Sequence, residues 1–156
     1  DDWNLPWEGG CRCGATRLRV TLPPLLAAAC HCTGCQRMGA SAFSLTLTLP
    51  AGGLDVIQGE PKRGGAHSEG VYHYHCPRCD SWMFTRADML GEMVNLRPST
   101  LDDHGWFVPF AEFFTDEKLA WASTPAPHSF ATVPEMADFG PLVTAFAQEG
   151  SRPRPT

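Results

Sequence analysis

Seven cysteines fall in three clusters along the chain: Cys11-x-Cys13, Cys30-x-Cys32-x-x-Cys35 and Cys76-x-x-Cys79. Thiols this close in sequence constrain the fold more than any hydrophobic pattern, because each cluster brings its sulfurs toward one point. An odd total excludes a fully paired disulfide framework. The chain has 156 residues, enough for one domain to bury roughly two thirds of its unfolded surface without covalent staples. In a chain of that size, clustered thiols are read as metal ligands rather than disulfides.

Cys76-Pro-Arg-Cys79 is half of a tetrahedral zinc site. Pro77 presets a turn, and backbone N–H groups in such a turn point at the sulfurs and favour thiolate. Asp80 follows at a position that asks for a left-handed residue, a conformation Asp tolerates better than most. A closed site needs four ligands. Cys11 and Cys13 supply the other half, because residues i and i+2 of an extended segment point to one face. Gly10 and Gly14 bracket the pair and relieve crowding. The first expectation is therefore a structural zinc on Cys11, Cys13, Cys76 and Cys79.

Cys30, Cys32 and Cys35 then remain as an incomplete tetrahedron. An open fourth position is what a catalytic or ligand-binding zinc requires. The spacing leaves open whether water, His31, a remote His or an outside thiol fills it. His31 points away from the sulfurs if the backbone there is extended. Zinc with three sulfurs is a poor generator of hydroxide and a good acceptor of one more thiolate. That preference points to thiol chemistry. Gln36, Arg37 and Ser41 follow the ligands and are candidates to orient substrate polar groups. Arg37 is the candidate for a substrate carboxylate. Phe43 and Trp82 are candidate pocket walls with core packing as the plainer role, and His73 and His75 read as strand residues or pocket neighbours.

Elsewhere the pattern is of short strands. Within 10–22, Thr16, Leu18, Val20 and Leu22 alternate with Ala15, Arg17, Arg19 and Thr21, a half-buried strand. Residues 41–49 alternate in the same way. Further strands are expected at 54–59, 71–76, 82–89 and 92–98, with short pieces at 110–115 and 119–123 and a polar loop at 60–70. Pro and Gly number 14 and 15, favouring turns over long helices. Pro141–Glu149 reads as the one short helix, with Pro in its first turn and Gly150 after it. The fold class is mainly β. The organisation expected is an N-terminal arm at 1–9 anchored by Trp3 and Trp7, a zinc-binding domain at 10–123, and an extension at 124–156 ending in a disordered tail.

The net charge of −5 argues against a nucleic-acid partner and against an anionic membrane surface. No apolar run reaches 18 residues, so no spanning helix is expected. The opening DDWNLPWEGG lacks the basic-then-apolar pattern of a leader, and the expected location is cytoplasmic. Oligomeric state is not legible.

Three segments, GCRCG at 10–14, CHCTGCQRMGAS at 30–41 and CPRCDSWMF at 76–84, resemble the glutathione-dependent formaldehyde-activating enzyme family, which also includes centromere protein V. PFAEFFTDEKLAW at 109–121 resembles that family's closing segment. The likeness covers roughly residues 5–123. It implies a β-tent fold of mostly antiparallel sheets pinned by zinc. It also implies two zinc ions per chain, the second proposed as catalytic, and carbon–sulfur lyase chemistry that joins glutathione to formaldehyde as S-hydroxymethylglutathione. Asp80 stands where the family usually has Gly, and His75 where an aromatic is usual. The under-ligated second site invites partial occupancy or a disulfide among its thiols. Two other readings of the same residues are a non-catalytic zinc scaffold that binds a protein partner, and a thiol redox or metal sensor.

Overall fold

The computed structural model describes residues 2–64 and 68–155; the part of the 60–70 loop at 65–67 lies outside the described residues. Among the described residues, eleven strands and two α-helices follow in chain order. They are β1 (Trp7–Gly10), β2 (Arg17–Val20), β3 (Leu26–Cys30), α1 (Thr33–Gly39), β4 (Ser44–Pro50), β5 (Leu54–Gln58), β6 (Lys62–Gly64), β7 (Val71–His75), β8 (Trp82–Ala87), β9 (Met93–Leu96), β10 (Ala111–Phe113), β11 (His128–Ser129) and α2 (Met136–Glu149). A three-stranded sheet runs β1-β2-β5, and an eight-stranded sheet runs β11-β10-β3-β4-β9-β8-β7-β6. Pairing is antiparallel except where β10 lies parallel to both β3 and β11.

The alternating segments become strands for the expected reason. In β2, Leu18 and Val20 are buried while Arg17 and Arg19 reach Asp102 and Glu8 at the surface. Leu22, expected on the same buried face, has turned out beyond the end of the strand and is exposed. In β4, Leu47 and Leu49 enter the core, and Thr48 bonds Asn95 of β9. The core gathers these residues with Val94 and Leu96 of β9 and Met83 and Phe84 of β8.

The segment LLAAAC becomes β3, although alanine has a low strand preference. Every residue from Leu26 to Ala29 is buried between β4 and β10. Burial on both faces makes such a strand uniformly apolar, with no alternation to read. Residues 119–123, expected as a strand piece, form turn and coil, and Trp121 is 76% exposed. The polar loop at 60–70 contains β6, paired with β7.

The C-terminal helix starts earlier than expected, at Met136. Pro141 sits inside it rather than in its first turn. One missing N–H there costs a single intrahelical bond, with Leu142 and Phe146 anchoring the following turns in the core. The N-terminal stretch is part of the body: Trp3 is 6% exposed and Trp7 opens β1. Trp3 packs against Trp7, Trp106 and Phe146 with ring centroids 6.1, 6.2 and 5.8 Å away. Residues 151–155, expected as a disordered tail, close over the same patch. The Arg152 guanidinium lies 3.9 Å from the Trp3 ring centre and pairs with Asp2 at 2.7 Å. The Ser151 hydroxyl donates to the Trp106 carbonyl at 2.7 Å, and the Asn4 amide donates to the Arg154 carbonyl at 2.6 Å.

Phe146 is expected to hold α2 down, so Phe146→Ala should cost about 3–5 kcal/mol of unfolding free energy. Denaturant titration checks it, and a loss below about 1 kcal/mol would mean that α2 is not docked as described.

Candidate metal centres

Two groups of cysteines converge, Cys11, Cys13, Cys76 and Cys79 in one and Cys30, Cys32 and Cys35 in the other, with all sulfurs of each group within 4.8 Å of one another. In the quartet, the Cys11 and Cys13 sulfurs are 3.5 Å apart and those of Cys13 and Cys76 3.8 Å. A tetrahedron with zinc–sulfur bonds of about 2.3 Å has edges of about 3.8 Å. The four sulfurs therefore already stand near the spacing zinc imposes.

The local backbone explains this. Cys11 and Cys13 leave β1 in a tight turn, in which the Gly14 N–H reaches the Cys11 carbonyl at 3.2 Å with Gly14 at φ 81°. A Cβ on Gly10 would sit 2.6 Å from the Thr16 carbonyl oxygen, so only glycine fits there. Cys76 to Ser81 close the turn between β7 and β8. The Asp80 N–H bonds the Cys76 carbonyl at 2.9 Å, and the Cys76 N–H bonds the Ser81 carbonyl at 3.1 Å. Asp80 has φ 59°, the left-handed conformation expected of it, and its carboxylate meets Lys62 Nζ at 2.8 Å. The N–H groups of Thr16 and Arg78 point at the Cys11 and Cys76 sulfurs at 3.3 and 3.4 Å. The Ser81 hydroxyl at 3.1 Å draws the Cys79 thiol down to about 5.

The trio is built differently. Cys30 ends β3, Cys32 caps α1, and Cys35 lies in the first turn of α1. Cys32 is extended, with φ −60° and ψ 150°, and its sulfur accepts the Cys35 N–H at 3.3 Å. This helix was not expected from the sequence. It has seven residues, no buried side chain and glycines at 34 and 39, so neither propensity nor periodicity marks it.

His31 does point away from the sulfurs. Its ring is fully buried, with Nε2 2.7 Å from Glu112 Oε1 and the ring edge on Phe43 at 5.3 Å. The Ser129 hydroxyl donates to the other Glu112 oxygen at 2.6 Å. Burial alone would raise the Glu112 carboxyl; Ser129 and His31 outweigh it and hold the group below its ordinary value. Glu112 was missed by the sequence reading, although one acid inside the aromatic run FAEFF was its signal.

Of the residues named for substrate, Gln36 donates its amide N–H groups to the carbonyls of His31 and Glu117 at 2.8 and 3.1 Å. The Ser41 hydroxyl donates to the Phe43 carbonyl at 2.7 Å. Arg37 is exposed in the last turn of α1. Arg97, also missed, is buried just after β9. Trp82 lines a cavity of about 540 Å³ together with Cys11, Arg12 and Arg17.

The ionisation of the trio is uneven. The Cys30 thiol, hydrogen-bonded to Cys35, pulls Cys35 down to about 5, with Ser44, Cys32 and the Arg97 charge adding. The same Cys35 interaction pushes Cys30 up, and burial pushes Cys32 up. A divalent cation is what would let all three ionise. Buried polar atoms without an oxygen or nitrogen partner also gather here. Ser44 Oγ lies beside Cys35 and Thr16 Oγ1 beside Cys76. Both donor sets fit zinc.

The sequence profile of the family described as "Glutathione-dependent formaldehyde-activating enzyme" matches residues 6–117, a span that encloses all seven cysteines. The chain belongs to that family. It is 31% identical over 104 residues to a Halomonas elongata protein named "Putative glutathione-dependent formaldehyde-activating enzyme", covering 61% of this chain. The chain spans 65% of that relative's length. A crystal structure of a Rhodobacter sphaeroides protein superposes with a TM-score of 0.52 at 22% identity, over 61% of this chain and 87% of the other. That likeness concerns the fold. No helix among the described residues is long and apolar enough to cross a membrane.

Cys79→Ser is expected to remove about one zinc equivalent and to lower thermal stability sharply, because structural zinc binding is coupled to folding. Metal analysis alongside a melting curve checks it; unchanged zinc content would refute the quartet. Glu112 makes a second prediction. Its folded pKa is depressed, so the stability it contributes is present above its unfolded pKa, about 4.3. That stability is lost as pH falls through the lower folded value. Glu112→Gln should flatten this acid limb in denaturant midpoints measured across pH, and an unchanged limb would show that Glu112 is not responsible.

Proposed function

We propose that the chain is a zinc-dependent enzyme acting on the carbon–sulfur bond between a small thiol and an aldehyde, with glutathione and formaldehyde as the pair. The observation that carries this reading is the trio: three half-buried thiols converge, and among the described residues no fourth ligand joins them. Family membership and the relative's printed name favour the same substrates. The quartet holds one zinc for architecture, and Cys30, Cys32 and Cys35 hold a second. Zinc there supplies a soft Lewis acid that favours the thiolate form of an added thiol.

The chain's own residues have separable tasks. Cys32 and Cys35 are held by the cap of α1, and Cys30 by the β3–β4 ladder opposite Ser44. Gln36 ties α1 to the His31 and Glu117 carbonyls and so fixes the tilt of that helix. Arg37, exposed beside the trio, is the candidate partner for a carboxylate of a glutathione-like thiol. Ser41 lies at the rim, where its hydroxyl braces the turn into β4. The reaction needs no oxidant. The thiol sulfur bonds to the aldehyde carbon, the C=O becomes C–O, and the thiol proton ends on that oxygen.

The test uses NMR exchange spectroscopy of glutathione with formaldehyde, comparing the zinc-loaded chain with buffer. Faster adduct exchange is expected. Cys32→Ser should lower it by about 100-fold, within the range that loss of a site-defining group costs, while leaving the quartet zinc in place. No acceleration over buffer, and no heat when glutathione is titrated into zinc-loaded protein, would exclude the glutathione reading and favour a non-catalytic metal module.

A further inference from the structure

Arg97 is the feature that neither the fold nor the proposed reaction accounts for. It is 8% exposed. Its Nη1 donates to the Leu45 carbonyl at 3.0 Å, its guanidinium lies 4.1 Å from the centre of the Trp82 ring, and its Nε has no acceptor. Its backbone is fixed as well. The Arg97 N–H bonds the Met83 carbonyl at 2.9 Å, and its own carbonyl accepts from the Thr100 hydroxyl at 2.7 Å. Among the described residues no carboxylate forms an ion pair with it.

A guanidinium buried without a counter-charge is strongly unfavourable. Burial brings Arg97 down only to about 10, so it stays charged at neutral pH, and attraction to Cys35 and Cys30 works against that fall. The register supplies the geometry. Leu45, which Arg97 holds, pairs with Ala29 in the β3–β4 ladder, and the next pair is Cys30 with Ser44. The cation thus sits one residue along β4 from the position facing Cys30. Three thiolates on a divalent cation carry net −1, and one buried guanidinium brings the assembly to zero. The quartet has no such arrangement. Four thiolates on zinc carry net −2; the cations beside it, Arg12, Arg78 and Lys62, are exposed, and the half-buried Arg17 is already paired with Asp102.

Resting on the reading of the trio as a zinc site, we infer that Arg97 is its built-in counter-ion, a positioning residue that holds the metal and keeps the site electrically open to an anionic fourth ligand, a thiolate. The quartet is closed and negative, and repels such a ligand. The trio with Arg97 is neutral and accepts it. Selection for a thiolate over a neutral thioether follows from charge rather than from shape.

The experiment compares wild type with Arg97→Gln, Arg97→Met and Arg97→Lys. Zinc is withdrawn by a graded series of chelators, and cobalt-loaded protein is titrated with glutathione and with S-methylglutathione while its visible spectrum is followed. Wild type is expected to release two zinc ions in separate steps; a single ion in wild type would overturn the reading of the trio itself. Given two, Arg97→Gln should weaken the less tightly held zinc by about 10- to 100-fold, the range typical of groups that support metal ligands. The tightly held zinc should be unchanged, which also certifies the fold, and glutathione should bind the cobalt form correspondingly less well. Arg97→Lys should restore most of both. If Arg97→Met loses both ions through misfolding, the Gln-to-Lys comparison decides. Gln matching wild type, or Lys no better than Gln, would overturn the inference. So would equal spectral responses to glutathione and its S-methyl form in wild type.

Discussion

The convergence of four sulfurs from two distant turns governs this structure. Cys11 and Cys13 leave the first strand of the small sheet, and Cys76 and Cys79 lie at the hairpin between β7 and β8 of the large one. More than sixty residues separate the two pairs, yet the Cys13 and Cys76 sulfurs stand 3.8 Å apart. Closing a loop of that length costs conformational entropy that a small interface does not readily offset. Ligand bonds from both pairs to one cation would offset it and fix the two sheets at one corner. The glycine at 10, the left-handed Asp80 and the N–H groups aimed at sulfur are all local consequences of that closure.

What was legible in the sequence followed from chemistry carried by single residue types. Cysteine spacing identified both clusters, because thiols placed i and i+2 or i and i+3 have few ways to converge. Strict alternation identified β4 and the middle of β2. Asp80 was legible because few residues accept its backbone. The elements that escaped were held by tertiary context. β3 is apolar on both faces and alanine-rich, so it has no period. α1 is seven residues long and is capped by the Cys32 sulfur, with no apolar face to mark it. α2 tolerates Pro141 because Leu142 and Phe146 anchor it. Trp121 read as part of a strand and lies in the open.

The missed site residues share a cause. Glu112 and Arg97 are lone charges within apolar strand text, and a sequence does not say which buried charge faces which partner. Glu112 pairs with His31 and Ser129, so His31, which stands between two cysteines of the trio, is already engaged away from them. It serves instead as a buried strut between β3 and β10, two strands running in parallel. Arg97 is set on the far side of β4 from that strut. The trio therefore rests between a hydrogen-bonded acid–imidazole pair and a buried guanidinium that has no carboxylate partner among the described residues.

The clasp between residues 2–7 and 151–155 has a dynamic consequence. Trp3 is covered by Arg152 and packed against Phe146, and Asn4 is tied to Arg154. Neither end can fray without stripping cover from the other. The amides of β1 and of the last turn of α2 should thus exchange with solvent as one cooperative unit, even though they lie at opposite ends of the polypeptide.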